Sequence, residues 1–433
     1  MNKVLETIFN ENHKKFRYLK NLEIALRGGE YHFIEIKDNV IINSQTKSDY
    51  YLSIRGENRK NYFSFNSPFK DDLFNLIKLN QNIRNNNIIK YPFLKPKKYR
   101  NNNSLDISFE EYNNILLLEL ISKPVFKLLR QKFNINGFIY IKKDRISPFS
   151  NQYPIISIIN NKGLFINHQQ NKIVINFTIN NNHNTISINK IFNKIEEIEN
   201  YLNKEINNIE KKINLKKINN YIAKDDKIIF SSKAIAQILH KIKNNFSISD
   251  YYENKNNLFK NKLNQKIFSH KINIQSTPYH PLLLTAPFDE TGEERIIVNL
   301  IKNGYLREFT VSYYESLKYK ALLTGHSFLN SKYSTPQSLY LKGSTTELTD
   351  ILNSENKIIF IDDLNISNQI IEINETIKIT SLNSFIYKKG KIYKKIENLE
   401  LNISISELFM KVVALTTENE EFGMITPEIL VSL

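Results

Sequence analysis

Apolar and polar residues alternate from Leu22 to Phe65 in the runs LEIALR, YHFIEIKD, VIINSQT, YYLSIRG and NYFSFN, separated by short polar or glycine-containing turns. A period of two places successive side chains on opposite faces of a sheet, so strand-rich structure is predicted over residues 20–66. Leu73, Leu76, Ile77 and Ile83 then recur at helical spacing, which predicts a helix over Asp71–Ile83 covering that sheet. The Asn-, Lys- and Pro-rich stretch 84–104 reads as a linker or surface loop. Beyond it, Ser108-x-x-Glu111 has the form of a capping box ahead of an apolar helix that Pro124 interrupts.

Strand-like runs follow at Gly137–Lys142, Ile155–Ile159, Gly163–Asn167 and Lys172–Ile179. Ile191, Ile195, Ile198, Leu202, Ile206, Ile209 and Ile213 then mark one long amphipathic helix over 189–214. From Lys227 the pattern changes again. KIIF leads into a helix over Ser232–Asn245. Ile296–Ile301 and Tyr305–Val311 flank Asn303-Gly304, the dipeptide that favours a tight hairpin turn. A helix over Tyr313–Leu322, three strands between Gln369 and Ile396 and a helix from Ser404-x-x-Glu407 complete the pattern. The expected fold class is α+β, antiparallel sheets with covering helices, in two domains at 1–220 and 221–433.

Composition narrows the function classes. The 433 residues are 41% hydrophobic and 24% charged, ordinary for a globular chain. ILLLELI, Ile115 to Ile121, is far short of the ~20 apolar residues that span a bilayer, and the amino terminus does not resemble an export signal, so a soluble cytoplasmic protein is expected. Cysteine is absent, which excludes disulfides, thiol nucleophiles and thiolate metal ligands. The formal charge of +16 points towards nucleic acid. Lys, Asn and Ile, however, are abundant everywhere, as compositional drift would make them, and a nucleic-acid partner is not expected. No two of the 11 glycines have the spacing of a dinucleotide-binding loop, a nucleophile elbow or a P-loop. None of the eight histidines precedes a Glu, and no two lie within two helical turns of each other, so no helical His-Glu zinc motif is present.

The carboxy-terminal half carries a more specific signal. Pro287-Phe288-Asp289-Glu290-Thr291-Gly292, then Lys302-Asn303-Gly304-Tyr305-Leu306, then Thr324-Gly325-His326 resemble the "PFDDEG", "ENG-L-G" and "TGN" signatures of the TldD/PmbA family, the modulators of DNA gyrase. STPQSLYLKGST, Ser334 to Thr345, resembles the family's "S-N-L-Y-L-P-G" stretch, and Thr417 to Gly423 its "GNDLEFG". KIIFSSKAIAQILHKI resembles a segment of the PmbA (TldE) branch and the opening strands resemble the family's opening hairpins, so the resemblance runs nearly the whole length in order. In the TldD branch a His-Glu-x-x-x-His motif and a later Cys hold zinc. Here those motif positions fall on His240, Lys241 and Asn245, and no Cys exists.

The resemblance implies a TldE/PmbA-like subunit of a TldD/TldE-type metalloprotease acting on unfolded peptides. Zinc is expected in a TldD-like partner and no metal or catalytic residue in this chain. Partners are then the TldD-like zinc subunit, further copies of itself, or both. Asn303, Gly304, Thr324, Gly325 and His326 are expected either to line the peptide cavity or to brace the carboxy-terminal domain. A homo-oligomeric peptide-binding accessory protein is the alternative, and a nucleic-acid-associated protein a further one.

Overall fold

The computed structural model describes residues 2–58, 61–68, 73–80, 91–95, 134–143, 155–168, 171–181, 184–192, 196–213, 215–219, 226–283, 285–329, 331–371, 376–397 and 399–432. Helix α1 (Asn2–Lys15) precedes two long strands, β1 (Asn21–Lys37) and β2 (Val40–Glu57), and a shorter one, β3 (Tyr62–Pro68). Asp38 and Asn39 close the β1–β2 hairpin with φ of 48° and 68°, the doubly left-handed turn that suits the twist of paired strands. Period-two patterning explains the two faces of β1. Leu22, Ile24 and Leu26 pack on Leu5, Phe9 and Phe16 of the first 16 residues and on Leu73 and Ile77 of α2 (Leu73–Asn80). Ala25 faces the other way, into a cluster with Ile158, Leu164, Ala286 and Phe288. The sheet continues through β4 (Asn134–Lys143), β7 (Asn171–Asn181) and β8 (Asn184–Phe192), with β5 (Ile155–Asn160) and β6 (Phe165–Asn167) branching from β1.

Helix α3 (Glu196–Ile213) leads to a second, 12-stranded sheet. Its strands are β9 (Lys217–Asn219), β10 (Lys227–Phe230), β11 (Ile274–Ser276), β12 (Val298–Lys302), β13 (Tyr305–Leu306), β14 (Leu339–Leu341), β15 (Ile358–Ile371), β16 (Thr376–Lys388), β17 (Lys391–Glu397), β18 (Leu399–Ser404), β19 (Val412–Glu421) and β20 (Met424–Ser432). The main path runs β13-β12-β11-β14-β20-β10-β15-β16-β17-β9. Most ladders are antiparallel; parallel ones join β10 to β15, β14 to β20 and β17 to β9. Helix α4 (Ser232–Ile242) begins at Ser231, whose hydroxyl accepts from Ala234 N at 3.0 Å, and buries Ile235, Ile238, Leu239 and Ile242 in the core of this sheet. The α+β class with antiparallel sheets and covering helices is the observed one, and no described helix is long and apolar enough to cross a membrane.

Three expectations change in detail. The first four strand runs merge into β1 and β2, because Gly28 and Gly29 pass straight through the ladder opposite Tyr50 and Asp49 instead of turning. The predicted helix over 189–214 begins at Glu196. Residues up to Phe192 are strand β8, and Ile191 pairs with Val174, so the isoleucine stripe overran an element of period two. The expected Ser232–Asn245 helix ends as α-helix at Ile242 and tightens into a 3-10 turn over Lys243–Phe246. The Ser108-x-x-Glu111 capping box and most of the 84–104 linker lie outside the described residues.

Candidate functional site

The segment Pro287–Gly292 sits where the second sheet's loops meet the first sheet, and each residue has a physical task. Phe288 fills the apolar cluster with Ala25, Ile158 and Leu164. Asp289 is buried and accepts four hydrogen bonds, from Thr291 N (2.9 Å), Thr291 Oγ1 (2.7 Å), Glu293 N (3.0 Å) and Ser327 N (2.8 Å). Burial raises its pKa while those donors act to lower it. Glu290 forms a two-pronged ion pair with Arg27 of β1, at 3.0 and 3.1 Å, and accepts from Leu329 N at 3.0 Å. Gly292 has φ of 85°, and a Cβ there would stand 3.3 Å from Leu164 Cδ2. Beside it Arg55 of β2, fully buried, pairs with Glu23 and donates to Pro92 O at 3.1 Å.

Thr324, Gly325 and His326 form the next layer inwards. Thr324 exchanges hydrogen bonds with the backbone N and O of Val311, at 2.8 and 3.0 Å. Gly325 has φ of 69°, and its Cα approaches the backbone of Glu294 so closely that a Cβ would stand 2.1 Å from Glu294 O. His326 is 3% exposed. Its Nδ1 faces the Thr324 carbonyl at 2.9 Å, which can only accept, so Nδ1 carries the proton and Nε2 accepts from Ser276 Oγ at 2.8 Å. Burial, reinforced by the charge of Arg295, pushes its pKa down to about 3, so the ring is neutral. Ser276 and His326 have the separation of a nucleophile and its base, but both are enclosed, at 1% and 3% exposure.

Asn303 and Gly304 lie at the opposite end of β11 from that histidine, since Ser276 pairs with Val298 and Ile274 with Ile301. With φ of 52° and 78° they make the tight turn that Asn-Gly favours, and Gly304 is required because a Cβ would meet Phe268 O at 2.2 Å. Asn303 joins Asn299, Lys302, Tyr305, Arg307 and Glu308 around an open groove of about 400 Å³ beside the edge strand β13. The structure thus places Asn303 on a groove, Gly304 beneath it, and Thr324, Gly325 and His326 inside.

The three positions that align with the family's zinc motif lie at the end of α4. His240 is exposed, 3.1 Å from Lys243 Nζ, and its pKa is lowered by partial burial and by Lys243 and Lys241. Asn245 is buried, donates to Ile242 O at 3.1 Å, and accepts from Leu258 N at 2.9 Å. A divalent cation would meet two lysines and an amide already engaged at both ends, so these residues do not fit zinc. Among the described residues no three of His, Cys, Asp or Glu gather as a metal could use them.

The late segment Thr417–Gly423 is a brace too. Glu418 accepts from Gly343 N and the Tyr340 hydroxyl, both at 2.9 Å, and so ties two of the stretches that carry the resemblance to each other. Glu420 accepts from Gly423 N at 2.8 Å and from Ile191 N of β8 at 3.1 Å. Arg27, Arg55, Ser276 and Arg295 were not singled out from the sequence, where lone residues of these types carry no pattern.

Residues 223–433 match the family model of the PmbA/TldA metallopeptidase C-terminal domain. No curated protein matches the chain. TldE from Thermococcus kodakarensis is similar in structure, with a TM-score of 0.79 at 18% identity, covering 99% of this chain and 98% of that one. A proposed modulator of a DNA gyrase from Thermotoga maritima gives 0.77 at 15% identity over 99% of each chain. Another from Bacteroides thetaiotaomicron gives 0.71 at 14%, over 100% of this chain and 97% of that one.

Proposed function

We propose, for a chain that belongs to the TldD/PmbA family, that it is the TldE/PmbA-like, non-catalytic subunit of a TldD/TldE-type metalloprotease that degrades or processes unfolded peptides in the cytoplasm. One observation carries the reading. Where a zinc-binding relative needs two imidazoles and a carboxylate, this chain has His240 followed by Lys241 and touched by Lys243, and an Asn245 whose amide closes a turn. Zinc and the water it activates would then belong to a TldD-like partner. This subunit would contribute enclosure and peptide contacts. The groove at Asn303 suits the second task, because an extended peptide can lie along an edge strand such as β13 while Lys302, Tyr305, Arg307 and Glu308 offer charge, ring and hydrogen bonds. The Thr324–His326 loop suits bracing, given its burial.

The test is purification of the chain alone and together with a TldD-like subunit carrying an intact His-Glu-x-x-x-His. The pair should hold zinc and cleave an unfolded peptide, and the chain alone should do neither. Stoichiometric zinc in the isolated chain, with cleavage by it, would falsify the reading. Self-assembly and peptide binding with no affinity for such a subunit would favour a homo-oligomeric accessory protein instead.

A further inference from the structure

The groove beside β13 is walled by more positive charge than its own acid neutralises. Tyr305 pairs with Lys302 of β12 on one side and with Lys266, through an isolated antiparallel bridge, on the other. Residues directly opposite in a ladder present their side chains on the same face, so Lys266, Tyr305 and Lys302 form a row. Arg307 closes over that row, its guanidinium carbon 4.9 Å from the centre of the Tyr305 ring. All four side chains are exposed. Among the described residues none of the three cations forms an ion pair, and Arg307 spends one N–H on Asn264 Oδ1 at 3.1 Å. The acid of the groove, Glu308, accepts from Asn299 N at 2.6 Å and pairs with no cation. Asn303 donates its backbone N to Asn273 Oδ1 at 2.8 Å, and its own side-chain amide is left to the groove.

We propose that this groove selects extended peptide segments bearing acidic side chains, with two carboxylates meeting Lys302 and Arg307. The inference rests on the peptide-processing reading and adds to it the charge class of the peptide. An extended chain places alternate side chains on one side, about 7 Å apart, so two acids can face the row while the backbone between them meets the Asn303 amide. The Tyr305 ring holds the Arg307 guanidinium in place, which reduces the side-chain freedom lost when a carboxylate docks on its fork. A nucleic acid suits the same surface less well. The ring on which a base would stack already has Arg307 over one face, and Glu308 repels phosphate.

The full chain, without any zinc-bearing partner, is titrated into labelled peptides of about ten residues with both ends blocked, and binding is read by fluorescence anisotropy. Three peptides differ only at two alternate positions, which are Glu, Gln or Lys. At low salt the Glu peptide should bind about fivefold more tightly than the Gln peptide and the Lys peptide most weakly, with the differences closing as salt is raised. Lys302→Gln combined with Arg307→Gln should bring the Glu and Gln peptides to equal affinity. Lys389→Gln removes an exposed cation from the β16–β17 turn, towards the other end of the same sheet, and should leave the ratio unchanged. Equal binding of Glu and Gln peptides by the unaltered chain overturns the proposal alone, whether or not the variants fold. So does a preference that survives the double substitution or falls equally with Lys389→Gln, since the overall charge of +16 would then be its source. A single-stranded oligothymidylate that binds more tightly than the Glu peptide overturns it in favour of nucleic acid. If none of the three peptides binds, the proposal and the peptide-processing reading beneath it fall together.

Discussion

The layer from Asp289 through Arg295 to His326 and the turn that ends α4 both occupy places where the family resemblance is informative, but they are built differently. In the first, Asp289 satisfies four donors, Gly325 lies against the backbone of Glu294, and His326 is neutral between Ser276 and Thr324. Arg295 Nε and, beside Gly292, Arg55 Nη1 are the exceptions, each enclosed without a hydrogen-bond partner. In the second, His240 is exposed beside Lys241 and Lys243, and Asn245 is tied into the fold. A motif that is spent on packing constrains the chain through stability. A turn whose side chains reach solvent, as His240 does, is free to drift without that cost.

The sharpest way to break this contrast is to add one methyl group in the closed layer. Gly325→Ala forces a Cβ onto a backbone oxygen at 2.1 Å while demanding φ of 69°, and it should cost about 4 kcal/mol or prevent folding altogether. Urea denaturation measures it, and a loss near zero would mean that the layer yields easily. Asp289→Ala comes next. It leaves buried N–H and O–H groups of Thr291, Glu293 and Ser327 without an acceptor, for about 3 kcal/mol by the same measurement, and Asp289→Asn should recover part of that.

Both residues stand inside motifs that could be read in the chain, and the contrast with what could not be read is instructive. Local rules carried the α+β class, the Asn303–Gly304 turn and the helix start at Ser404, because period, turn chemistry and capping act within a few residues. The motif residues of Pro287–Gly292 were visible, but their task was not. Glu290 meets Arg27 across 263 positions of chain, and no spacing rule reaches that far. Arg295 was invisible for the opposite reason. Its guanidinium Nε is enclosed without a hydrogen-bond partner, and a sequence does not display absence. The isoleucine stripe at 191–213 misled at one end because strand and helix both place Ile on their apolar side.

His326 allows the closed layer to be tested by pH. Its pKa is about 3 when folded and 6.5 when free, so between those values the unfolded chain binds more protons than the folded one. Stability contributed by the neutral ring is fully present above pH 6.5 and is lost as the pH falls through that window, by about 2 kcal/mol at pH 5. His240 and His280 also shift downward, so the useful quantity is the difference between the protein and His326→Gln, whose stability should fall less steeply from pH 6.5 to 5. Parallel slopes would mean that the buried ring is protonated without resistance.

The smallest effect is expected at the other region. His240 is exposed, and the contact it makes is with a lysine that it tends to repel once protonated. Removing its ring leaves no cavity in the core and strands no buried donor. His240→Ala should therefore change stability by less than about 0.5 kcal/mol at neutral pH, within the range of ordinary surface substitutions. Zinc sharpens the same comparison. A ligand that binds only the folded state raises the thermal midpoint by mass action, so an imidazole that contributed to a metal site would give a zinc-dependent rise in the protein and none in the variant. The expected result is the same midpoint with and without zinc in both. A rise confined to the unsubstituted chain would show that the lysines at 241 and 243 do not repel the ion as their position implies, and the two regions would no longer be opposites.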